Sequence, residues 1–209
     1  NWGYDPMNFN VPEGSYSTDA KNGAVRVSEM KKMVKKLHEN GIGVVMDVVY
    51  NHVYLADKFC MNVLVPGYFS RIDENGTYSD GSGCGNDTAS ERSMVKKYIV
   101  DSVKYWADEY HIDGFRFDLM GLIDTETMNQ AYEACAAINP DTLFVGEGWK
   151  MYNGPAGTFG MEQKQVTKTD NIAVFNDELR DACKKGGLSE GAGFITGKPV
   201  SKSIRPEKA

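Results

Sequence analysis

The chain has 209 residues, 41% hydrophobic and 25% charged, enough for one ordinary globular domain or part of a larger one. A net charge of −6 and a pI near 5.1 argue against nucleic acid as a partner. No apolar run approaches the roughly 20 residues needed to cross a bilayer and no charged-then-apolar leader is read, so no membrane partner is expected.

In chain order, residues 28–40 place Met30, Met33, Val34 and Leu37 at helical spacing, and Gly41 stands where a C-terminal cap belongs. A strand follows over 44–49, apolar except for Asp47. Residues 53–89 mix Gly, Ser and Asp with aromatics and read as a long irregular insertion, too polar for a core element. Thr88 and Glu91 form a capping-box pattern ahead of an amphipathic helix that runs to about Tyr110, with Val95, Tyr98, Ile99 and Trp106 on its inner stripe. A strand over 114–119, a helix over about 124–138, strands over 142–146 and 172–175, and a helix over 177–184 complete the series. Helix and strand alternating with short turns predicts parallel βα units and an α/β fold. Cys60, Cys84, Cys135 and Cys183 are widely spaced, form no C-x-x-C and read as free thiols rather than zinc ligands or a disulfide framework.

The run "GFRFD" poses the chemical question. In an extended chain alternate side chains share a face, so Arg116 and Asp118 point together while Phe115 and Phe117 point the other way. Three acidic residues, Asp47, Asp118 and Glu147, fall at the carboxyl ends of predicted strands, where βα folds collect their chemistry. Glu147 follows Asp118 by 29 residues, about one βα repeat, which predicts neighbouring strands and equal height. A single aspartate at a strand end is often only a helix cap or a loop hydrogen bonder. Three at equivalent positions, one beside Arg116 and one near Trp149, point instead to sugar chemistry, with one carboxyl as nucleophile and the other as proton donor.

The motifs around these residues resemble the α-amylase superfamily of retaining glycoside hydrolases (glycoside hydrolase family 13). "DVVYNH" is similar to its first signature, "GFRFD" to its second and "GEGW" to its third. The opening "NWGYDPMNFNVPEGSYSTD", the stretch "NDTASERSMVKKYIVDSVKYWADEYHIDGFRFDLMGL" and "FNDELRDA" are similar to type I pullulanases, the debranching members that cut α-1,6-glucosidic bonds. The resemblance covers residues 1 to about 197; the tail from about Pro199 has no counterpart in it. It implies one partial catalytic domain over 1–209, an incomplete (β/α)8 TIM barrel with roughly its third to sixth strands. It also implies roles: Asp118 as nucleophile, Arg116 as the cation that orients it, and Glu147 as general acid and base. Asp47 and His52 would contact the sugar on the non-reducing side of the cut, Tyr4 would stack on it, Asn51 would support them, and Trp149 would stack beyond the cut.

The family's fourth signature, a His-Asp pair, has no match, because the histidines are His38, His52 and His111 and none precedes an aspartate. With that third carboxylate absent, the isolated chain is expected to have little or no activity. The expected partner is an α-glucan polysaccharide or oligosaccharide. No cofactor is required and no residue is assigned to a metal, although the acidic loop 73–87 offers oxygen ligands of the kind calcium takes, without an EF-hand pattern. The alternatives are an isoamylase or glycogen debranching type of enzyme, or a non-catalytic α-glucan-binding remnant. Location, whether bacterial cytoplasmic or secreted, and oligomeric state stay open.

Overall fold

A computed structural model of the chain describes residues 2–184 and 191–197. The chain divides into two compact units, Asn1–Val174 and Phe175–Ala209.

The first unit is built on four short strands, β1 (Val45–Val48), β2 (Gly114–Phe117), β3 (Leu143–Gly146) and β4 (Ile172–Val174). They form one parallel sheet in sequence order, β1-β2-β3-β4, as the alternation of helix and strand implied. Parallel neighbours need long crossovers, and α3 (Ser93–Tyr110) and α4 (Thr125–Ala136) supply them. The two helices pack on each other, and they bury Val95, Ile99, Val103 and Trp106 from one and Met128, Ala131 and Cys135 from the other. Phe115 and Phe117 of β2 and Phe144 of β3 are fully buried against them, with Phe117 and Phe144 ring centroids 5.1 Å apart. Each such side chain removed from water contributes about 1.5–3 kcal/mol, so this layer is what holds the strand ends in place. The edge is less covered: Val45 of β1 is 47% exposed.

The remaining helix of this layer, α1 (Gly23–His38), begins five residues before the apolar spacing suggested. Asn22 accounts for the difference, since its side chain accepts from Ala24 N–H and caps the helix there. Lys35, Lys36 and His38 occupy the last turn, where cations favour the helix dipole, and Gly41 takes φ +71°, a left-handed backbone that glycine adopts without strain.

Two expectations need correction. Residues 53–89 are not merely a polar insertion. They contain a 3-10 turn (Ala56–Lys58) and the helix α2 (Cys60–Leu64), and they bury Ala56, Phe59 and Phe69. Phe59 lies 4.8 Å from Phe69, and Phe9 and Tyr98 pack edge-on against this pair. These core residues are contributed singly by turns, so no periodicity announces them. Asn62 stitches the segment by donating to Ala56 O and Ser70 Oγ and accepting from Ser70 N–H. The capping box is also absent: α3 starts at Ser93 after Arg92, which makes no side-chain cap. Glu91 instead pairs with Arg71 at 2.8 Å, and Thr88 is buried with its N–H on Asn51 O. A bidentate bond to a buried arginine outcompetes a cap to the backbone.

The second unit contributes α5 (Asp177–Cys183), capped by the Asn176 side chain accepting from Leu179 N–H. The tail from Pro199 lies outside the described residues. Among the described residues no helix is long and apolar enough to cross a membrane. The four cysteines are free, and Cys135 belongs to the core.

Candidate active site

The sheet register sets the site. Asp47 on β1 and Arg116 on β2 are direct partners, and Phe117 on β2 pairs with Gly146 on β3. Asp118 and Glu147 therefore leave neighbouring strands side by side. Phe115 and Phe117 turn into the core, which sends Arg116 and Asp118 to the opposite, half-buried face, as period two predicted.

Arg116 gathers the acids. Its Nη1 lies 2.9 Å from Asp47 Oδ1 and 2.9 Å from Asp118 Oδ1, and its Nη2 lies 2.8 Å from Glu147 Oε1. Burial alone would lower the guanidinium's pKa, but the bonds from Asp47 and Asp118 and the field of Glu147 outweigh it, and the net shift is upward. One permanent cation thus faces three carboxyl groups.

A second chain of bonds reaches Asp118 from behind. Asn51 donates through Nδ2 to Asp118 O (2.8 Å) and Asp118 Oδ2 (3.1 Å), and its Oδ1 lies 2.6 Å from His52 Nδ1. An amide oxygen only accepts, so in this contact Nδ1 carries the proton. His52 is buried, and this desolvation lowers its pKa against the opposing pull of Asp118 and Asp5. Its Nε2 sits 3.9 Å from Asp5 Oδ1, and the Tyr4 backbone also acts on the ring to raise its pKa. Asp5 carried no signal in the sequence, being one acid in an irregular segment.

Tyr4 donates its hydroxyl to Asp47 Oδ2 at 2.7 Å, and its exposed ring lies 6.0 Å from the Arg116 guanidinium carbon. The bond to Asp47 is the main cause that raises its phenol pKa. Glu147 Oε2 accepts from Leu119 N–H at 2.9 Å, a backbone contact that sequence reading had no means to find. Trp149 stands half-buried two residues beyond Glu147, and it takes no part in the hydrogen bonds that join the rest of the set.

The acidic loop shows a different use of carboxylates. Asp73 Oδ1 accepts from the N–H groups of Asn75 and Thr77, and Asp87 accepts from Ser79 Oγ and from the N–H groups of Gly81 and Ser82. Among the described residues no group of three or more His, Cys, Asp or Glu side chains is arranged for a metal ion. An apolar groove of about 560 Å³ between α2 and α3, lined by Met61, Leu64, Tyr68, Phe69 and Met94, contains none of the strand-end charges. The convergence of charge, not the depth of a cavity, marks the candidate site.

No family model matches the chain. It is 44% identical over 188 residues to the pullulanase of Bacillus subtilis (strain 168), a match covering 88% of this chain and 26% of that protein. It is 38% identical over 213 residues to pullulanase 1, chloroplastic, of Arabidopsis thaliana, covering 94% of this chain and 22% of that one. A crystal structure of pullulanase from Paenibacillus barengoltzii, in complex with maltohexaose and alpha-cyclodextrin, matches with a TM-score of 0.88 and 49% identity, over 95% of this chain and 31% of the other. The chain spans about a quarter of the length of these curated relatives. An α/β fold with a four-stranded parallel sheet that superposes on a pullulanase, and close sequence identity across nearly all of its length, place this chain in the pullulanase family of glycosidases.

Proposed function

We propose that the strand-end cluster performs hydrolysis of α-1,6-glucosidic bonds in pullulan and branched α-glucans by double displacement with retention. The observation that carries this reading is the meeting of Asp118 and Glu147, from adjacent strands, on the single guanidinium of Arg116. Asp118 attacks the anomeric carbon and forms a β-glucosyl-enzyme while Glu147 gives its proton to the departing oxygen. Glu147 then takes a proton from water, and that water's oxygen displaces Asp118 from the same carbon. Arg116 and Asn51 hold Asp118 by its two oxygens and leave a lone pair on each for attack.

In this reading Tyr4, Asp47 and His52 contact the sugar on the non-reducing side, and Trp149 meets the sugar beyond the cut. Related pullulanases crystallised with maltohexaose, maltotriose or maltotetraose support an α-glucan as the ligand. The four strands are taken as the third to sixth of a (β/α)8 barrel, with residues 1–209 forming part of its catalytic domain. The family's third carboxylate has no match among the residues of the chain, and in this reading the isolated chain has little or no activity on its own. No cofactor enters the reaction; calorimetric titration of chelated protein with calcium tests whether that ion binds.

The deciding experiment uses the full-length protein that carries this chain. Release of maltotriose from pullulan, with the new anomeric centre retaining its configuration by NMR, supports the proposal. Debranching of glycogen with pullulan barely touched selects the isoamylase or glycogen debranching type instead, and binding of α-glucan without cleavage selects a non-catalytic remnant. Hydrolysis of pullulan by the isolated chain at ordinary enzymatic rates would contradict the need for a third carboxylate.

A further inference from the structure

The hydrogen-bond ladder between β2 and β3 changes partners just where the two acids leave the sheet. Glu147 N–H donates to Phe117 O at 3.1 Å, and in a parallel pair the next rung runs from Leu119 N–H to Glu147 O. That rung is not made. Leu119 adopts a left-handed backbone, φ 41° and ψ 46°, and its N–H goes to the side chain of Glu147, 2.9 Å from Oε2. The abandoned carbonyl of Glu147 is taken by Gly121 N–H at 2.9 Å. Leucine rarely occupies this region, so the surrounding structure must impose it.

Gly121 is what lets the two exits approach so closely. A Cβ there would stand 1.9 Å from Trp149 O, and a Cβ at Gly160 would stand 2.0 Å from Gly121 O. Backbone therefore packs on backbone on both sides of the turn. The carboxyl of Glu147 is gripped at both oxygens, Oε1 by Arg116 Nη2 and Oε2 by an amide that has no rotamer to change.

We propose that Leu119, supported by Gly121, is a positioning residue that orients the Glu147 carboxyl for proton transfer through its left-handed backbone N–H. This rests on the assignment of Glu147 as the acid in the proposed function. The turn acts through Glu147 and not through Asp118, whose own oxygens are held by Arg116 and Asn51.

The test compares kcat/KM for pullulan with kcat/KM for α-maltotriosyl fluoride in the full-length protein that carries this chain. Fluoride leaves without a proton, so bond breaking there does not need the acid. Leu119→Val, whose branched side chain is excluded from this backbone region, should lose about tenfold to a hundredfold on pullulan while staying within about twofold on the fluoride. Leu119→Asn, which tolerates the left-handed backbone, should restore most of the loss. If the valine variant does not fold, Gly121→Ala should give the same split by pushing on the Trp149 carbonyl. Equal losses on both substrates, or none on either, overturn the proposal and leave the glycosidase reading standing. A parent protein inactive on both substrates removes that reading, and the proposal with it.

Discussion

Arg71 and Arg116 each hold more than one carboxylate, but the first sits inside the 53–89 segment and the second at the strand ends. Arg71 is 9% exposed and reaches Glu91 at 2.8 Å and Asp87 at 3.8 Å. Asp87 is fully buried, and its oxygens are already taken by Ser79, Gly81 and Ser82. Around Arg116 the carboxylates are 15–44% exposed, and each keeps lone pairs that no donor among the described residues occupies. A closed network of this kind holds a loop in one shape, whereas an open one leaves charge available to a ligand.

The sharpest way to break that contrast is to remove one acid from each cluster. Asp118→Asn in the full-length protein should reduce kcat on pullulan by about 10⁴-fold or more, some 5.5 kcal/mol of transition-state stabilisation, with the melting temperature little changed. Preserved activity would remove Asp118 from the chemistry. Asp87→Ala should do the reverse. It strips three donors of their acceptor and leaves Arg71 less well paired, which costs about 3–5 kcal/mol in a urea titration. Activity per folded molecule should hold, and a variant as stable as its parent would mean that the buried cluster contributes nothing net.

Smaller effects refine the comparison. Tyr4→Phe removes one hydrogen bond to Asp47 and keeps the ring, so kcat/KM should fall by about tenfold, near 1.4 kcal/mol. A larger loss would give the hydroxyl a part in the reaction itself. The smallest expected effect is a slope. Burial lowers the pKa of His52 below its ordinary 6.5, so in acid the unfolded chain binds a proton that the folded chain refuses. Stability from this source is full above about pH 6.5 and falls as the pH drops toward the depressed folded value. His52→Gln should flatten that part of the stability–pH curve, and urea midpoints at several pH values between about 5 and 7 measure it. An unchanged slope would mean that some other group titrates there.

Much of the fold was legible because hydrophobic periodicity reports buried faces directly. Strand β2 was expected over 114–119 and runs Gly114–Phe117, the two extra residues belonging to the turn that carries Asp118 and Leu119. The helix expected over 124–138 is Thr125–Ala136, capped by Asp124, which accepts from Thr127 N–H. Segment 53–89 was misread because its buried residues come one at a time from turns and depend on partners such as Phe9 and Tyr98, distant in the chain. Thr88 and Glu91 matched a helix-start pattern, but the Glu91 carboxyl is taken by Arg71 and the helix starts without a side-chain cap.

At the site, the residue types and their spacing in the sequence determined that Asp47, Arg116, Asp118 and Glu147 would stand at strand ends, since period two and the length of a βα repeat are local properties of the chain. Only the tertiary structure decided how they meet. It put one guanidinium between three carboxyl groups, turned Asn51 so that it bonds Asp118 and His52 together, brought Asp5 opposite His52, and bent Leu119 until its amide faced Glu147. Those contacts depend on sheet register and on close packing of loops far apart in sequence. Register and packing are set by all the neighbours at once, and no short motif encodes them.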